Sequence, residues 1–288
     1  MSLGVEPRRS VIDPVTKPVR NPIALGWWRT RFELMQYFRS GDTLFFTFLF
    51  PIAMLGLFSV VFGADGDFQP TPAVPPISVA ELYLPGMLAA GLLLSGFQNL
   101  AMDIAVERSE GTLKRLGGTP LSPVSYFIGK IGQVTVTGSL QAALLLLFAV
   151  VALGAELPSD PAKWAVFAWV FVLGITGSAL LGVALSSVPR TAKSATAVVV
   201  PIALVLQFIS GVYLFFYQLP DWLQNVASLF PLKWMAQGMR YVFLPDDYAV
   251  LEQDQEWNLA GVAIALVIWL VVGLVLSRLT FRWIRRDA

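Results

Sequence analysis

Six apolar stretches, each long enough to cross a lipid bilayer as a helix, constrain this chain more than any other feature of its sequence. A helix needs about 20 apolar residues to span the hydrocarbon core. The chain has 288 residues, of which 56% are hydrophobic and 14% charged, a composition typical of integral membrane proteins. The sequence therefore predicts an all-α membrane protein with one transmembrane domain over residues 44–279. The predicted spans lie near Leu44–Phe62, Leu82–Ala105, Ile131–Gly154, Trp164–Val188, Ala195–Phe216 and Leu259–Leu279.

The basic residues lie mostly on one side of this predicted domain. Lys and Arg are enriched in cytoplasmic loops. If the N-terminus is cytoplasmic, all Lys and Arg except Lys163, Lys233 and Arg240 fall in segments on the inner side. This distribution predicts a multi-pass plasma-membrane protein whose termini are both cytoplasmic, with basic tails at 1–23 and 280–288. The predicted inner segments are 1–43, 103–130, 189–194 and 278–288.

Residues 24–43 show helical periodicity before the first span. Arg29, Glu33, Gln36 and Ser40 share one narrow stripe of the helix, and the broad opposite side is apolar and aromatic. A helix of this kind, rich in Trp and Arg, favours the membrane interface. The alternative is a simple extension of the first span.

A short charged loop, Glu107–Lys130, separates the second and third spans. Its first part, 107–116, has helical character, with Glu110 and Lys114 spaced for an i,i+4 ion pair. The glycines at 117 and 118 predict the end of this helix, and Ser122 is a good N-cap for the next one. The loop is either an ordinary solvated connection or a helix that docks onto a soluble partner through its charges and through Leu113 and Leu116.

The longest predicted outer segment is 217–258. It contains two short apolar helices separated by Pro231, and both are too short to cross a membrane. Irregular backbone at membrane depth is tolerated only where it is buried in protein. The segment is therefore a re-entrant hairpin buried against the spans or a plain extracellular loop.

Two of the predicted spans carry uncharged polar residues. Buried amides need partners, so they should face protein or a cavity and not lipid. These residues either line a translocation path between two subunits or form hydrogen bonds that hold the helices together. The candidate path residues are Ser95, Phe97, Gln98 and Asn99 in the second span and Gln207, Phe208 and Ser210 in the fifth.

Several functional classes find no support in the sequence. No G-x-x-x-x-G-K-[ST] phosphate loop occurs, so ATP hydrolysis would need a separate subunit. The chain has no His and no Cys, which disfavours metal sites and nucleophile–base catalysis. Ionisable residues deep in the spans are also missing, unlike in ion-coupled carriers. Orientation explains the basic residues, so they do not indicate nucleic-acid binding.

Two motifs resemble a known family. The run Glu107–Ser122 is similar to the E-x-G-T-L-[EK]-R-L-x-x-T-P-L-S loop of ABC exporter permeases of the drug and polysaccharide class, the ABC-2 type. It departs from that pattern at positions 117 and 118, where Gly-Gly replaces a bulkier or basic pair. The outer stretch LPDWLQNVASLFPLKWMAQGMR resembles the external re-entrant helices of the same family, with Trp222, Pro231 and Arg240 at matching places.

The resemblance implies a coupling helix in the loop that rests on an ATP-binding subunit. Two copies of that subunit, carrying ATP and Mg²⁺, and a second copy of the permease or a sister permease are the implied partners; this chain itself would bind no cofactor. The expected cargo is a hydrophobic or amphipathic drug, antibiotic or lipid moved outward. A polysaccharide or lipid-linked glycan and a non-transporting scaffold are the alternatives. The implied coupling residues are Glu107, Arg108, Glu110, Gly111, Thr112, Leu113, Lys114, Arg115, Leu116, Thr119 and Pro120.

Overall fold

A computed structural model describes residues 21–64 and 66–283, without the side chain of Asp42. The predicted tails at 1–23 and 280–288 lie mostly outside the described residues. The described part is all-helical and contains no strand, only an isolated bridge between Phe68 and Ile77. Its helices are α1 (Pro22–Tyr37), α2 (Phe45–Phe62), α3 (Val79–Ser109), α4 (Thr112–Gly117), α5 (Pro123–Leu153), α6 (Pro161–Leu185), α7 (Ala192–Ile209), α8 (Asp221–Ala227), α9 (Pro231–Phe243) and α10 (Leu259–Thr280).

Six of these helices are long and apolar enough to cross a membrane, namely α2, α3, α5, α6, α7 and α10. This confirms the predicted all-α architecture with six apolar spans. Helix α3 is the central one: most residues of its most apolar stretch are buried, whereas few of those in α2 and α10 are. In a membrane protein exposed apolar faces meet lipid or another subunit, so the exposure of α2 and α10 does not imply instability.

Small residues bring α3 and α6 into close contact. A Cβ atom on Gly182 of α6 would lie 2.6 Å from the carbonyl oxygen of Gly96, and one on Gly96 would lie 2.8 Å from Cβ of Ser178. No side chain fits at either glycine without moving a helix. Close approach at small residues is a usual basis of helix association in membranes. Lipid tails are as apolar as the helix surfaces, so no hydrophobic driving force brings the helices together.

Helix α1 lies along α5, with its two tryptophans facing outward. Trp27 and Trp28 are 73% and 60% exposed, whereas Gly26, Thr30 and Glu33 are buried. The contact is tight because glycines on both helices face larger residues, and a Cβ on Gly26 would lie 2.5 Å from Ile128. Half of the predicted polar stripe, Arg29 and Glu33, therefore points into the protein.

The fifth spanning helix is shorter than the apolar run predicts. Helix α7 ends at Ile209 and not near 216, because Gly211 adopts a left-handed conformation with φ +78°. A Cβ there would lie 2.9 Å from Cβ of Phe216, so the turn requires glycine. The chain then folds back, and the two short helices of the outer segment follow as α8 and α9.

Candidate functional site

The loop between α3 and α5 contains one short helix and not the longer one predicted over 107–116. Glu107 and Arg108 belong to the last turns of α3, which ends at Ser109. Gly111 then takes a left-handed conformation, with φ +74°, and α4 starts at Thr112. This break explains why Glu110 and Lys114 form no ion pair in the described structure, since they are not on one continuous helix. Arg115 Nη2 instead donates to the Glu110 carbonyl oxygen at 3.1 Å.

The end of the loop follows the sequence prediction. Ser122 is the N-cap of α5, and its hydroxyl accepts a hydrogen bond from the Ser125 amide at 3.1 Å. Pro123 occupies the first position of the helix, where its missing N–H has no cost. Thr119 and Pro120 are exposed between the two helices. The loop is thus held by a helix end on either side.

A buried ion network joins α1, α3 and α5 beside the loop. Lys130 is only 2% exposed, and its Nζ lies 2.8 Å from Glu107 Oε1 and 2.9 Å from Glu33 Oε2. Tyr126 donates its hydroxyl to Glu107 Oε2 at 2.6 Å. Arg29 Nη2 approaches Glu33 Oε1 at 2.5 Å and Glu107 Oε1 at 3.7 Å. The two carboxylates therefore have basic partners from two different helices.

This network corrects the expectation for the first two coupling residues. Glu107 was expected to contact a soluble partner, but its carboxylate is turned inward and occupied by Lys130 and Tyr126. Arg108 also reaches inward, and its Nη1 donates to the carbonyl oxygen of Ser186, just after the end of α6. Spacing alone could not show this, because the basic partners of Glu107 come from distant parts of the chain.

The exposed side of α4 carries charge and no large apolar residue. Glu110, Lys114 and Arg115 are exposed, and Gly111, Thr112 and Leu116 are half-buried. Leu113 has 0% exposure and belongs to the main core, so it does not provide the apolar docking contact that the sequence predicted. The surface that a partner could reach consists of these three charges together with Thr119 and Pro120. We call these five residues the charged loop face.

Aromatic residues after α10 pack under the loop. Phe281 stacks on Tyr126 with ring centroids 5.5 Å apart, and Trp283 meets the same ring edge-on at 5.4 Å. A Cβ atom on Gly117 would lie 3.1 Å from Cβ of Trp283. The glycine that departs from the resembled family pattern therefore lies where Trp283 leaves little space. No sequence pattern indicated this contact.

The candidate path residues of α3 mostly bond within the protein. They lie in a stretch of wider, π-helical turns over Leu94–Asn99. The buried Ser95 hydroxyl donates to Gln141 Oε1 of α5 at 3.1 Å, and Asn99 Nδ2 donates to the Thr47 hydroxyl of α2 at 2.9 Å. Phe97 is buried and Gln98 half-buried. Two of the four residues thus join helices, as the second interpretation of these residues predicted.

The candidate path residues near the end of α7 differ from one another. Gln207 is buried, donates to the Ala203 carbonyl oxygen at 3.2 Å and accepts from the Tyr213 hydroxyl at 2.7 Å. Phe208 is 44% exposed. Ser210 lies beyond the last turn of the helix, and its buried hydroxyl has no hydrogen-bond partner in the described structure. Phe208 is therefore the residue of this group that faces outward from the subunit.

The two short outer helices differ in burial. In α8, Trp222 is 66% exposed, whereas α9 begins at Pro231 and is buried among α3, α6 and α10 along almost its whole length. Arg240 forms a two-point ion pair with Glu252, with Nε–Oε1 and Nη2–Oε2 distances of 2.5 and 3.0 Å. These contacts fix the chain that follows α9 against the helix.

Lys233 is buried in the same outer region. Its ammonium group bonds to Gln237 Oε1 and lies 3.9 Å from the centre of the Trp234 ring. Burial lowers the pKa of Lys233 to about 8, although the nearby Glu252 opposes this shift. Cation–π contact and one amide oxygen thus compensate part of the cost of removing the charge from water.

Comparison with known proteins gives a consistent set of matches. Residues 75–279 match the family model described as "ABC-2 family transporter protein". A protein of Porphyra purpurea named as a transport permease, ycf38, is 25% identical over 191 residues, which cover 65% of this chain and 65% of that protein. A protein of Escherichia coli K12 named as a multidrug ABC transporter permease, YbhR, is 25% identical over 186 residues, which cover 64% of this chain and 48% of that protein. The chain spans less than two thirds of the length of these curated relatives.

Proposed function

Because the chain belongs to the ABC-2 family of transporter proteins, we propose that it is the membrane-spanning permease subunit of an ATP-driven exporter. The six apolar helices supply a membrane domain, and the sequence has no phosphate loop for ATP. ATP and Mg²⁺ are held by a separate subunit, in two copies. The chain pairs with a second copy of itself or with a sister permease, and the pair lies in the plasma membrane with both termini in the cytoplasm.

The main support for this proposal is the charged loop face. It presents Lys114 and Arg115 on the short helix α4, whose other side is anchored by the fully buried Leu113, and Glu110 just before that helix. Single exposed ion pairs contribute little, so docking depends on the set of charges and on the shape of the loop. The ATP-binding subunit docks on this face, and its movement on binding ATP displaces α4.

The ion network gives that movement a route into the membrane domain. Lys130 connects Glu107 at the end of α3 with Glu33 of α1, and Arg108 connects the same helix end with the residue that follows α6. A push on α4 therefore moves α3, α5 and α1 together, because breaking one of these buried contacts leaves a charge unpaired. The inward contacts of Glu107 and Arg108 assign them to transmission and not to docking.

Helix α1 is an interfacial helix in this proposal. Its outward side carries Trp27, Trp28, Phe32 and Met35, all of them exposed in the described chain. Tryptophan is enriched at the boundary between headgroups and hydrocarbon. Arg29, Thr30 and Glu33 bond to the protein, and the exposed tryptophans enter the lipid, so α1 is held in the interface from both sides. The hairpin of α8 and α9 is re-entrant from the opposite face.

The cargo moves outward between the second and fifth spans, α3 and α7, of two paired subunits. In one subunit the polar groups of Ser95, Asn99 and Gln207 are already bonded within the protein. The exposed Phe208 and the half-buried Gln98 remain to contact cargo. A wall of this kind favours a hydrophobic or amphipathic molecule such as a drug, antibiotic or lipid over a polysaccharide, which needs more groups for hydrogen bonding and stacking.

Co-purification with the ATP-binding subunit tests the proposal. The double variant E110Q/R115Q removes two charges from the charged loop face without changing net charge, and we expect it to reduce both co-purification and cargo-stimulated ATP hydrolysis at least severalfold. The matched control is E256Q, which changes an exposed carboxyl in the outer segment. Unchanged binding and stimulation in E110Q/R115Q would show that this face does not couple. The absence of any ATP-binding partner would favour the scaffold alternative.

A further inference from the structure

An apolar cavity of about 420 Å³ opens at the end of the membrane domain that carries the basic residues. Its walls come from the first turns of α5, from α6, from the last turns of α10 and from the aromatic segment after α10. Phe127, Ile131, Leu180 and Leu274 provide the apolar surface, and Trp283 closes one side. The volume lies in the range of pockets that bind small molecules, about 300–1,000 Å³.

The cavity lies on helices that cross the membrane and opens toward their outer surface. Ile131, Leu180 and Leu274 belong to the three spanning helices α5, α6 and α10. At its rim Val124 is 59% exposed and Leu274 is 39% exposed. In a bilayer this surface faces lipid, so the apolar molecule available to fill the opening is an acyl chain.

Two arginines at the mouth of the cavity distinguish it from a simple lipid-facing groove. Arg278 and Arg282 both line it and are exposed, and neither forms an ion pair within residues 21–64 and 66–283. By contrast, Arg29 and Lys130 at the same end of the protein are paired with carboxylates. A guanidinium group binds phosphate through two parallel hydrogen bonds. The mouth therefore offers two positive charges, with no ion-pair partner among the described residues, of the type that recognises phosphate.

We propose that this cavity is a binding site for an anionic phospholipid, with an acyl chain between α5, α6 and α10 and the phosphate headgroup beside Arg278 and Arg282. Basic pockets between spanning helices bind anionic headgroups in this way. The site lies away from α3 and α7, so the lipid is a bound component and not the transported cargo. The proposal needs the chain to be in a membrane but does not depend on ATP-driven transport.

Native mass spectrometry of the purified full chain tests this site. The protein is incubated with equal amounts of phosphatidylglycerol and phosphatidylcholine, and the ratio of the two in the first bound lipid is measured. We expect the wild type to prefer phosphatidylglycerol. Each basic residue near an anionic lipid contributes roughly fivefold to binding, so R278Q/R282Q should lower the preference about 30-fold.

Two further variants keep the result interpretable. R31Q/R39Q removes the same charge from two exposed arginines that do not line the cavity, and its preference should equal that of the wild type. Leu274→Trp fills the cavity and should reduce retention of the first lipid whatever its headgroup. Equal binding of the two lipids by the wild type, or an equal loss in both arginine pairs, would overturn the proposal.

Discussion

Lys130 is the residue on which the contacts between α1, α3 and α5 converge. Its ammonium group pairs with Glu33 and Glu107 while its side chain is almost completely buried. Removing one partner of a buried ion pair leaves the other charge uncompensated, which typically costs about 3–5 kcal/mol. We therefore expect Lys130→Met to lower the apparent melting temperature strongly in detergent, as measured by a thermal shift assay.

A surface lysine outside the ion network provides the control. The exposed Lys114→Met should change stability by less than about 0.5 kcal/mol, because surface charges away from special contacts contribute little. Adding E107Q to Lys130→Met removes the carboxylate that loses its closest basic partner, leaves Arg29 paired with Glu33, and should restore part of the lost stability. If Lys130→Met were as stable as Lys114→Met, the ion network would not hold these helices together.

Gly117 and Trp283 form a second pair whose coupling can be measured. A side chain on Gly117 would meet Cβ of Trp283 at 3.1 Å. Forcing extra atoms into a packed site costs about 1–3 kcal/mol, so Gly117→Leu should destabilise the chain. Trp283→Ala keeps Cβ but removes Cγ, which would lie 3.3 Å from the added Cβ, and the indole ring, so it should offset part of that loss. The control is Gly118→Leu, since the nearest atom to a Cβ there is the Arg115 carbonyl oxygen at an ordinary 3.5 Å. Additive effects of Gly117→Leu and Trp283→Ala in thermal unfolding would show that the contact does not matter.

At the residue scale the sequence predicted which residues are charged or capping better than it predicted which way their side chains point. The loop pattern identified the charged residues from 107 to 115, but whether each faces solvent depends on partners far away in the chain. Glu107 meets Lys130 and Arg29, which come from two other helices. Ser122 was predicted correctly as an N-cap because capping is local and depends on neighbours within one turn.

Among the helices, α1 shows most clearly what periodicity can and cannot establish. The pattern predicts a polar stripe opposite a broad apolar side, but Arg29 and Glu33 of that stripe point into the protein whereas Gln36 and Ser40 are exposed. It cannot say which side meets the protein, because in a membrane the apolar side faces lipid and the polar side packs against protein or faces water. Here Arg29 and Glu33 are inside and Trp27 and Trp28 outside. In a soluble protein the same pattern would indicate the reverse arrangement.

The contact between α1 and α5 depends on Gly132. A Cβ on Gly132 would lie 2.4 Å from the Thr30 hydroxyl oxygen, which itself donates to the Gly26 carbonyl oxygen. We expect Gly132→Val to separate the two helices and to expose α1 to trypsin at Arg31 and Arg39. Gly41→Val is the control, since a Cβ there would have no atom within 4 Å. Equal cleavage rates in the two variants would mean that α1 does not depend on this contact.

Helices α7 and α9 show that some helix ends can be predicted from the sequence and others cannot. Pro231 predicted the start of α9, because proline favours the first turn of a helix. The early end of α7 was not predicted, since a continuous apolar run contains no periodic signal and the deciding residue, Gly211, is one glycine among several near the span ends. Hydropathy gives the number of spanning helices reliably but locates their ends less well.

For the whole molecule, composition and the six apolar runs were sufficient to predict an all-helical membrane protein. They could not predict that α3 lies at the centre or that α9 is buried beside it. Helix packing depends on which small residues of neighbouring helices face each other, and hydropathy does not show this. Three basic residues lie apart from the others in the predicted topology, and each has a partner within the folded chain. Lys163 pairs with Asp246 at 3.1 Å, Lys233 bonds to Gln237, and Arg240 pairs with Glu252. Their contacts within the folded chain account for their position away from the other basic residues.

The proposed orientation leads to the last prediction, which concerns the whole chain. The sequence has no Cys, so a single introduced thiol reports its own position without background. Glu110→Cys lies on the charged loop face and Glu256→Cys in the outer segment, and both native side chains are exposed. A maleimide that cannot cross membranes should label Glu256→Cys in intact cells and Glu110→Cys only after the cells are permeabilised. Because an ATP-binding subunit must reach α4 from the cytoplasm, labelling of Glu110→Cys in intact cells would contradict both the orientation and the coupling role of the loop.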